Sequence, residues 1–163
     1  MPINFNHMTL QKYLDCLAAR GPVPGGGSAA ALSAALGVAL ISMVTRYSIG
    51  RKGNTRILDR QMTKVLAQSE ALRRRLLVLA SEDAKAYLAV VAARAGSAKA
   101  KRRAALKAAA VPREVRRLCR KAVRLTPFLT AKGNPHLLSD VEVAVELLMA
   151  GFNVASAMVE ANA

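Results

Sequence analysis

Aromatic residues are scarce in this sequence, which contains no tryptophan and only three tyrosines and three phenylalanines among its 163 residues. The cores of β-sandwiches and barrels draw on aromatic and β-branched side chains, so this composition disfavours an all-β fold. Alanine, the best helix former, is abundant and favours closely packed helices. At this length we expect residues 1–163 to form one helical domain.

Cysteine and histidine are also rare. The two cysteines, Cys16 and Cys119, form no disulfide framework or metal motif, and His7 and His136 lack metal-ligand spacing. We therefore expect no bound metal and assign the histidines no role. The N-terminal residues lack the basic-then-apolar order of a secretory signal peptide, so we expect a cytoplasmic protein.

Acidic residues are outnumbered, with 10 Asp and Glu against 25 Lys and Arg, for a net charge of +15. The excess is concentrated in residues 99–124, where Glu114 is the only acid. Solvated helix faces account for most such charges, but they also attract nucleic acid or a ligand with several carboxylates. Because the segment has no aromatic side chain for base stacking, a nucleic-acid interface here would rest on phosphate contacts alone.

The most distinctive stretch is Pro-Val-Pro-Gly-Gly-Gly-Ser at residues 22–28. The prolines fix an extended approach, the glycines permit a bare backbone turn, and Ser28 is a good N-cap for a helix predicted over 28–49. Free N–H groups at such a helix start favour an anion or a polar ligand edge. No Lys-Ser/Thr pair follows, so this is not a Walker-type phosphate loop. A plain linker between two helices is the alternative.

Hydrophobic periodicity and capping signals predict the other helices. Thr9 caps a short first helix, and the others are predicted over residues 55–94, over 98–110, from Pro112 onward, and from a capping box at Ser139. Together they predict an all-α bundle of five to six helices. In the long third helix Asp83 falls on the apolar seam, between Leu79 and Ala86.

Two helices carry almost no charge: residues 21–45 have none, and the last helix is apolar nearly all round. Their length makes a membrane span an alternative. However, small residues such as Gly37 and Gly151 let another helix approach closely, which favours buried packing. We therefore predict no membrane span, and a homodimer formed through these small-residue-rich helices.

Several short motifs follow one another along the chain: Pro-Gly-Gly-Gly-Ser at 24–28, Ile-Gly-Arg-Lys at 49–52, Glu-Asp-Ala-Lys-Ala-Tyr at 82–87, Gly-Asn at 133–134 and Ser-Asp at 139–140. This series resembles the formiminotetrahydrofolate cyclodeaminase family, which also contains methenyltetrahydrofolate cyclohydrolases. The resemblance implies an all-α bundle that dimerises and binds folate in a groove near the dimer interface. It also places the family's catalytic aspartate at Asp83.

The resemblance implies conversion of 5-formiminotetrahydrofolate to 5,10-methenyltetrahydrofolate with release of ammonia, and the alternative is hydrolysis of the methenyl bridge. Both reactions pass through a tetrahedral carbon between two nitrogens, so one carboxylate with a raised pKa could remove and deliver the proton. Burial would raise the pKa of Asp83, and Arg51 or Lys52 nearby would lower it.

The other site candidates are binding groups, and no cofactor beyond the folate substrate is implied. They are the backbone of Gly25, Gly26, Gly27 and Ser28 for the pterin edge or a developing charge, Asn134 and Asn162 as amide partners, and Arg51 and Lys52, with the basic helices, for a (poly)glutamate tail. Asp140 is a further candidate, although an acid at a helix start is more often a cap.

Two departures from the family motivate other hypotheses. Met158 stands where the family usually has asparagine, and the segment between Asp83 and Pro112 is shorter than in relatives. An inactive structural relative is therefore the second hypothesis after an enzyme. A basic nucleic-acid-binding helical module is the third.

Overall fold

The computed structural model describes residues 4–161, which form six α-helices and no β-strand. The helices are α1 (Leu10–Ala18), α2 (Gly26–Ser48), α3 (Arg56–Ala93), α4 (Ala98–Val123), α5 (Thr126–Lys132) and α6 (Leu138–Ala161), with short 3₁₀ helices at Phe5–His7 and Pro135–Leu137. The all-α prediction is confirmed. Thr9 caps α1 as expected, and Thr55 caps α3; each accepts a backbone N–H three residues on.

The uncharged helix α2 lies at the centre of the bundle, with α3 packed on one side and α6 on the other, and α4 packs against both α3 and α6. Its buried face contributes Val38, Ile41 and Val44 to a core that α3 and α6 complete. Burying this apolar face, rather than helix propensity, accounts for most of the stability of such a helix.

Glycines bring α2 and α6 into close contact. A Cβ atom at Gly37 would lie 2.8 Å from the Ala144 carbonyl oxygen, and one at Gly151 would lie 2.9 Å from the Ala30 carbonyl oxygen. The predicted small-residue ridges are therefore real, but Gly37 and Gly151 pack within one chain. The expectation that Gly37 belongs to a dimer interface is wrong.

Three predicted helix starts are also wrong. α2 begins at Gly26, so Ser28 is its third residue rather than its N-cap. Pro112 does not open a helix but lies inside the continuous α4, because its buried packing outweighs the backbone hydrogen bond that proline cannot make. α6 follows directly on the 3₁₀ helix at Leu138, so Ser139 lies inside it and the capping box does not form.

Two segments of the described chain are long and apolar enough to cross a membrane by length and composition alone: Gly26–Ser48 and Pro135–Glu160. Of the first, 61% is buried inside the bundle, as for the core helix of a globular protein, but only 28% of the second is buried. The exposed part of α6 includes Val143, Met149 and Val154. It therefore leaves an apolar face uncovered.

Candidate active site

The glycine stretch and Asp83 meet at one cavity of about 470 Å³. The loop before α2, the start of α2, and α3, α4 and α6 line it with Pro22, Val23, Gly25, Gly26, Gly27, Asp83, Ala86, Tyr87, Val90, Ala108, Pro112 and Met158. Among these described lining residues, Asp83 and Tyr87 are the titratable ones, and the rest are apolar or glycine. A single carboxylate therefore faces an otherwise apolar pocket of ligand size.

The first turn of α2 is built to receive that carboxylate. Gly25 is the cap residue and makes no side-chain cap hydrogen bond, so the first backbone N–H groups of the helix lack intrahelical partners. A Cβ atom at Gly27 would overlap the Asp83 carboxylate, so only glycine permits this approach. The Ser28 backbone N–H donates to Asp83. The positive end of the helix thus faces a negative side chain.

Burial raises the pKa of Asp83 above its ordinary value of 3.8, and the hydrogen bond from the Ser28 backbone N–H opposes part of that shift. Arg51 and Lys52, which were expected to lower the pKa of Asp83, do not contribute to this shift. Asp83 therefore lies where the seam argument placed it, on the apolar side of α3. Its pKa is raised in the direction that favours a carboxyl able both to take and to deliver a proton.

One buried polar pair beside this site was not predicted from the sequence. The Tyr13 hydroxyl and the Ser28 Oγ share a hydrogen bond of 3.0 Å, and both residues are buried. Burial raises the pKa of Tyr13, the Ser28 hydrogen bond lowers it, and the Asp83 charge raises it further. The helical spacing of α1 placed Tyr13 on its apolar stripe, but no local signal indicates the hydroxyl's partner.

Four of the other predicted binding residues lie away from this pocket: Arg51, Lys52, Asn134 and Asp140. α2 is 23 residues long, about 35 Å, and Arg51 and Lys52 follow its far end. Asp140 precedes Met158 by 18 residues on α6, about 27 Å along that helix. Within one chain the structure brings together residues 25–28 and Asp83, but not Arg51, Lys52, Asn134 or Asp140. The expectation that Arg51 or Lys52 lies beside Asp83 is therefore wrong for a single chain.

The separated candidates have local structural contacts. Arg51 donates to the Gly133 carbonyl over 3.1 Å, and the Asn134 side chain accepts the His136 N–H at the start of the 3₁₀ helix. Asp140 lies in the first turn of α6, which fits the capping alternative, and Lys52 is exposed. Asn162 lies outside the described residues. In the described part of the chain, no group of three or more His, Cys, Asp or Glu side chains could hold a metal ion.

Most of the excess positive charge lies on α4. Residues 98–124 hold eleven of the 25 basic residues and one acid, and nearly all of these cations are exposed. Arg117 pairs with Glu114 at 2.6 Å, whereas the rest of the segment has no acid of its own. Because Ala108 and Pro112 of the same helix line the Asp83 pocket, the positive surface begins beside the site.

The fold agrees with that of a known folate enzyme. The structure superposes with a TM-score of 0.92 on the crystal structure of formiminotetrahydrofolate cyclodeaminase from Thermotoga maritima, with 30% sequence identity over 96% of this chain and 79% of that chain. This is a helical enzyme of the folate one-carbon class. The Formiminotransferase-cyclodeaminase family profile matches residues 9–163, and the chain belongs to that family.

Two further relatives carry different names. The chain is 38% identical to methenyltetrahydrofolate cyclohydrolase of Methylorubrum extorquens over 95% of its own length and 79% of the relative. It is 32% identical to formimidoyltransferase-cyclodeaminase of Rattus norvegicus over 88% of its length, but spans only 28% of that protein. Enzymes of both activities are thus similar to this chain.

Proposed function

We propose that the Asp83 pocket hydrolyses the methenyl bridge of 5,10-methenyltetrahydrofolate. The observation that supports this most directly is a lone half-buried carboxylate of raised pKa, held against a glycine helix start in an apolar cavity. The relative named as a cyclohydrolase shares more sequence identity with the chain, 38%, than the rat cyclodeaminase does, 32%. This favours hydrolysis over the deamination that the sequence motifs put first.

In this proposal Asp83 acts first as a general base. Its carboxylate takes a proton from a water molecule as the water oxygen bonds to the bridge carbon, which becomes tetrahedral between the two folate nitrogens. One carbon–nitrogen bond then breaks as the same carboxyl delivers its proton to the departing nitrogen. The hydroxyl on the bridge carbon loses its remaining proton to solvent and becomes the carbonyl oxygen of a formyl group on the other nitrogen, so the cationic bridge and one water give the formyl group, an N–H and one released proton. The apolar walls exclude competing solvent from this proton transfer.

Cyclodeamination is the second candidate, supported by the name of the Thermotoga maritima structure. There a folate nitrogen attacks the formimino carbon and ammonia leaves, so Asp83 would again move a proton at a tetrahedral carbon. One assay separates the two: methenyltetrahydrofolate absorbance is followed with purified protein, starting from either the methenyl or the formimino substrate. Enzyme-dependent loss from the first supports hydrolysis, formation from the second supports deamination, and no change in either supports an inactive relative.

The pocket also supports a mode of substrate binding. The backbone N–H groups of Gly26 and Gly27 at the start of α2 would donate to a polar acceptor on the pterin edge, and the apolar walls would cover the ring. A glutamate or polyglutamate tail would leave toward the positive surface of α4, which begins beside the cavity. We propose no cofactor beyond the folate.

We further propose a homodimer that covers the exposed apolar face of α6. Val143 is 50% exposed and Val154 41% exposed, although α6 has the composition of a buried helix. Arg51, Lys52 and Asn134 lie far from the Asp83 pocket of their own chain, so a role for them in folate binding would require a second copy. We propose a cytoplasmic location, in agreement with the free cysteines Cys16 and Cys119.

A further inference from the structure

We propose that Tyr13 is a positioning residue for the proposed reaction, holding the first turn of α2 in register with Asp83 through its hydrogen bond to Ser28. This inference rests on the proposed function of the Asp83 pocket. Tyr13 does not line the pocket itself, so it would act through Ser28 rather than on the substrate.

The hydrogen bond between Tyr13 and Ser28 is enclosed by protein. The Tyr13 residue is 5% exposed, Ser28 is fully buried, and their oxygens lie 3.0 Å apart. A buried hydroxyl without a partner costs free energy, so each of these two groups depends on the other. The pair joins α1 to the third residue of α2, across the loop of residues 19–25.

The N-terminal segment also holds the other side of the site. The Phe5 ring packs edge-on against Tyr13, with ring centroids 5.4 Å apart, and the Phe5 N–H donates to Ser81 Oγ over 2.9 Å. Ser81 lies two residues before Asp83 on α3. Residues 5–13 therefore connect the helix start that donates to Asp83 with the turn of α3 that carries it.

The Ser28 N–H is the group through which this arrangement acts. Ser28 is the third residue of α2, and its side chain is held by the 3.0 Å bond to the Tyr13 hydroxyl on α1. This bond fixes the first turn of α2 relative to α1. The first turn of α2 then keeps the backbone N–H directed at the Asp83 carboxylate.

The surroundings of Asp83 fix the sign of the expected pH effect. From α4 and α6 the pocket receives Ala108, Pro112 and Met158, and its other titratable side chain is Tyr87, on α3. No cation is among these described lining residues. If the Ser28 N–H loses its alignment, the carboxylate loses its hydrogen bond, and the pKa of Asp83 rises further.

The test compares Tyr13→Phe with Tyr47→Phe, the same change at a tyrosine that is 64% exposed at the far end of α2. We expect Tyr13→Phe to lower kcat by roughly 10- to 100-fold, as for a misplaced catalytic group. The acid limb of its kcat/KM profile should move to higher pH, with folate affinity kept. Tyr47→Phe should match the unmodified enzyme. A lower Tm with an unmoved pH profile would show that Tyr13 is merely structural.

Ser28→Ala provides the second variant, because it removes the same hydrogen bond from the other side. Its effects on the pH profile should resemble those of Tyr13→Phe, and the double variant should add little to either. Fully additive losses would overturn the proposal. This comparison stays decisive if one of the single variants folds poorly.

A substrate-free measurement separates this inference from the proposed function. Asp83 can be titrated by carboxyl ¹³C NMR in the unmodified protein and in Tyr13→Phe. An upward pKa shift in the variant supports the positioning role even if neither folate substrate turns over, whereas an unchanged pKa rejects it. Absence of turnover from both substrates in the unmodified protein would reject the proposed function alone.

Discussion

Gly27 of α2 and Asp83 of α3 approach so closely that a Cβ atom at residue 27 would overlap the carboxylate. Gly26, its neighbour, has open space where a Cβ would stand. The need for glycine in this stretch is thus greatest at one position, which faces the candidate catalytic group. The contact explains why a glycine run at a helix start accompanies a single aspartate on another helix.

Gly27→Ala should therefore displace the Asp83 carboxylate. We expect a fall in turnover of roughly 100-fold, since small misplacements of a reacting group have effects of that order. Gly21→Ala is the matched control, because its added methyl would be in ordinary contact with the Val23 carbonyl oxygen at 3.7 Å and Gly21 does not line the cavity. Steady-state kinetics and Tm of both variants test this. Normal turnover in Gly27→Ala would show that the contact has no role in the reaction.

Asp83→Asn keeps the size of the side chain but cannot move a proton. We expect turnover to fall by roughly 10²–10⁴-fold with folate affinity largely kept, as for loss of a general acid–base group. Tm should be unchanged or higher, since a partly buried charge is removed. Glu82→Gln is the control, because Glu82 is the adjacent acid and pairs with Arg75 at 2.8 Å. Full activity in Asp83→Asn would be incompatible with the proposed mechanism.

The raised pKa of Asp83 also predicts how stability changes with pH. The folded protein binds this proton more tightly than the unfolded chain does, so ionisation of Asp83 reduces stability as pH rises through the folded pKa. Below the ordinary value of 3.8 both states are protonated and the difference vanishes. The Tm advantage of Asp83→Asn should therefore be largest above the folded pKa and shrink as pH is lowered from there toward 3.8.

Glu70 provides a control for that experiment, because its pKa is lowered whereas that of Asp83 is raised. The hydrogen bond from Arg73 is the main cause that lowers the pKa of Glu70 to about 2, so its stabilising effect is present at neutral pH and lost as pH falls through that value. Glu70→Gln should lower Tm near neutral pH, where Asp83→Asn does not. Parallel behaviour of the two variants would contradict the assignment of a raised pKa to Asp83.

Local signals predicted much of this fold. Thr9 was identified as a cap because a cap is made within one turn, and the seam of α3 placed Asp83 because its spacing is read from one helix. The same reasoning failed where distant packing decides. Pro112 lies inside α4 because buried contacts support it there, and Ser28 is an internal residue because Tyr13, 15 residues away, binds its hydroxyl.

The order of the motifs along the chain led us to assign all the candidate residues to one site, although this order contains no information on the distances between them. Arg51 follows the C-terminal end of α2 and Gly27 lies at its N-terminal end, so the length of the helix keeps them apart. Sequence order contains no information on whether a second chain closes that gap. Asp83 could be predicted because the spacing along its own helix places it on the apolar side, whereas a binding role for Arg51 would require contacts with a second chain.

The positive surface of α4 predicts a preference for substrates with long acidic tails. A pentaglutamate folate should have a lower KM than the monoglutamate at low salt, because several carboxylates meet the cations of residues 99–124. The gap should narrow as ionic strength rises, since salt screens exposed charges. Equal KM values at low salt would remove this explanation of the charge, and tight, steeply salt-dependent binding of duplex DNA would favour a nucleic-acid partner instead.

The uncovered face of α6 predicts self-association. Val143 and Val154 are separated by eleven residues, about three turns, so they lie on one stripe of the helix. Introducing charge as Val143→Glu with Val154→Glu should convert a dimer to a monomer, as measured by sedimentation velocity, while the helical content stays unchanged. Leu106→Glu is the control, because Leu106 is an equally exposed apolar residue on α4, at 59%.

Gly37→Leu changes a buried contact between α2 and α6, whereas the Val→Glu changes affect the exposed face of α6. Its side chain would collide with the Ala144 carbonyl inside the same chain, so we expect a lower Tm rather than a folded monomer.

If the proposed dimer also completes the folate site, the double Val→Glu variant should lose folate affinity together with association. A stable monomer of the unmodified protein at micromolar concentration would contradict the proposed dimer, and full folate affinity in the monomeric variant would show that one chain suffices for binding.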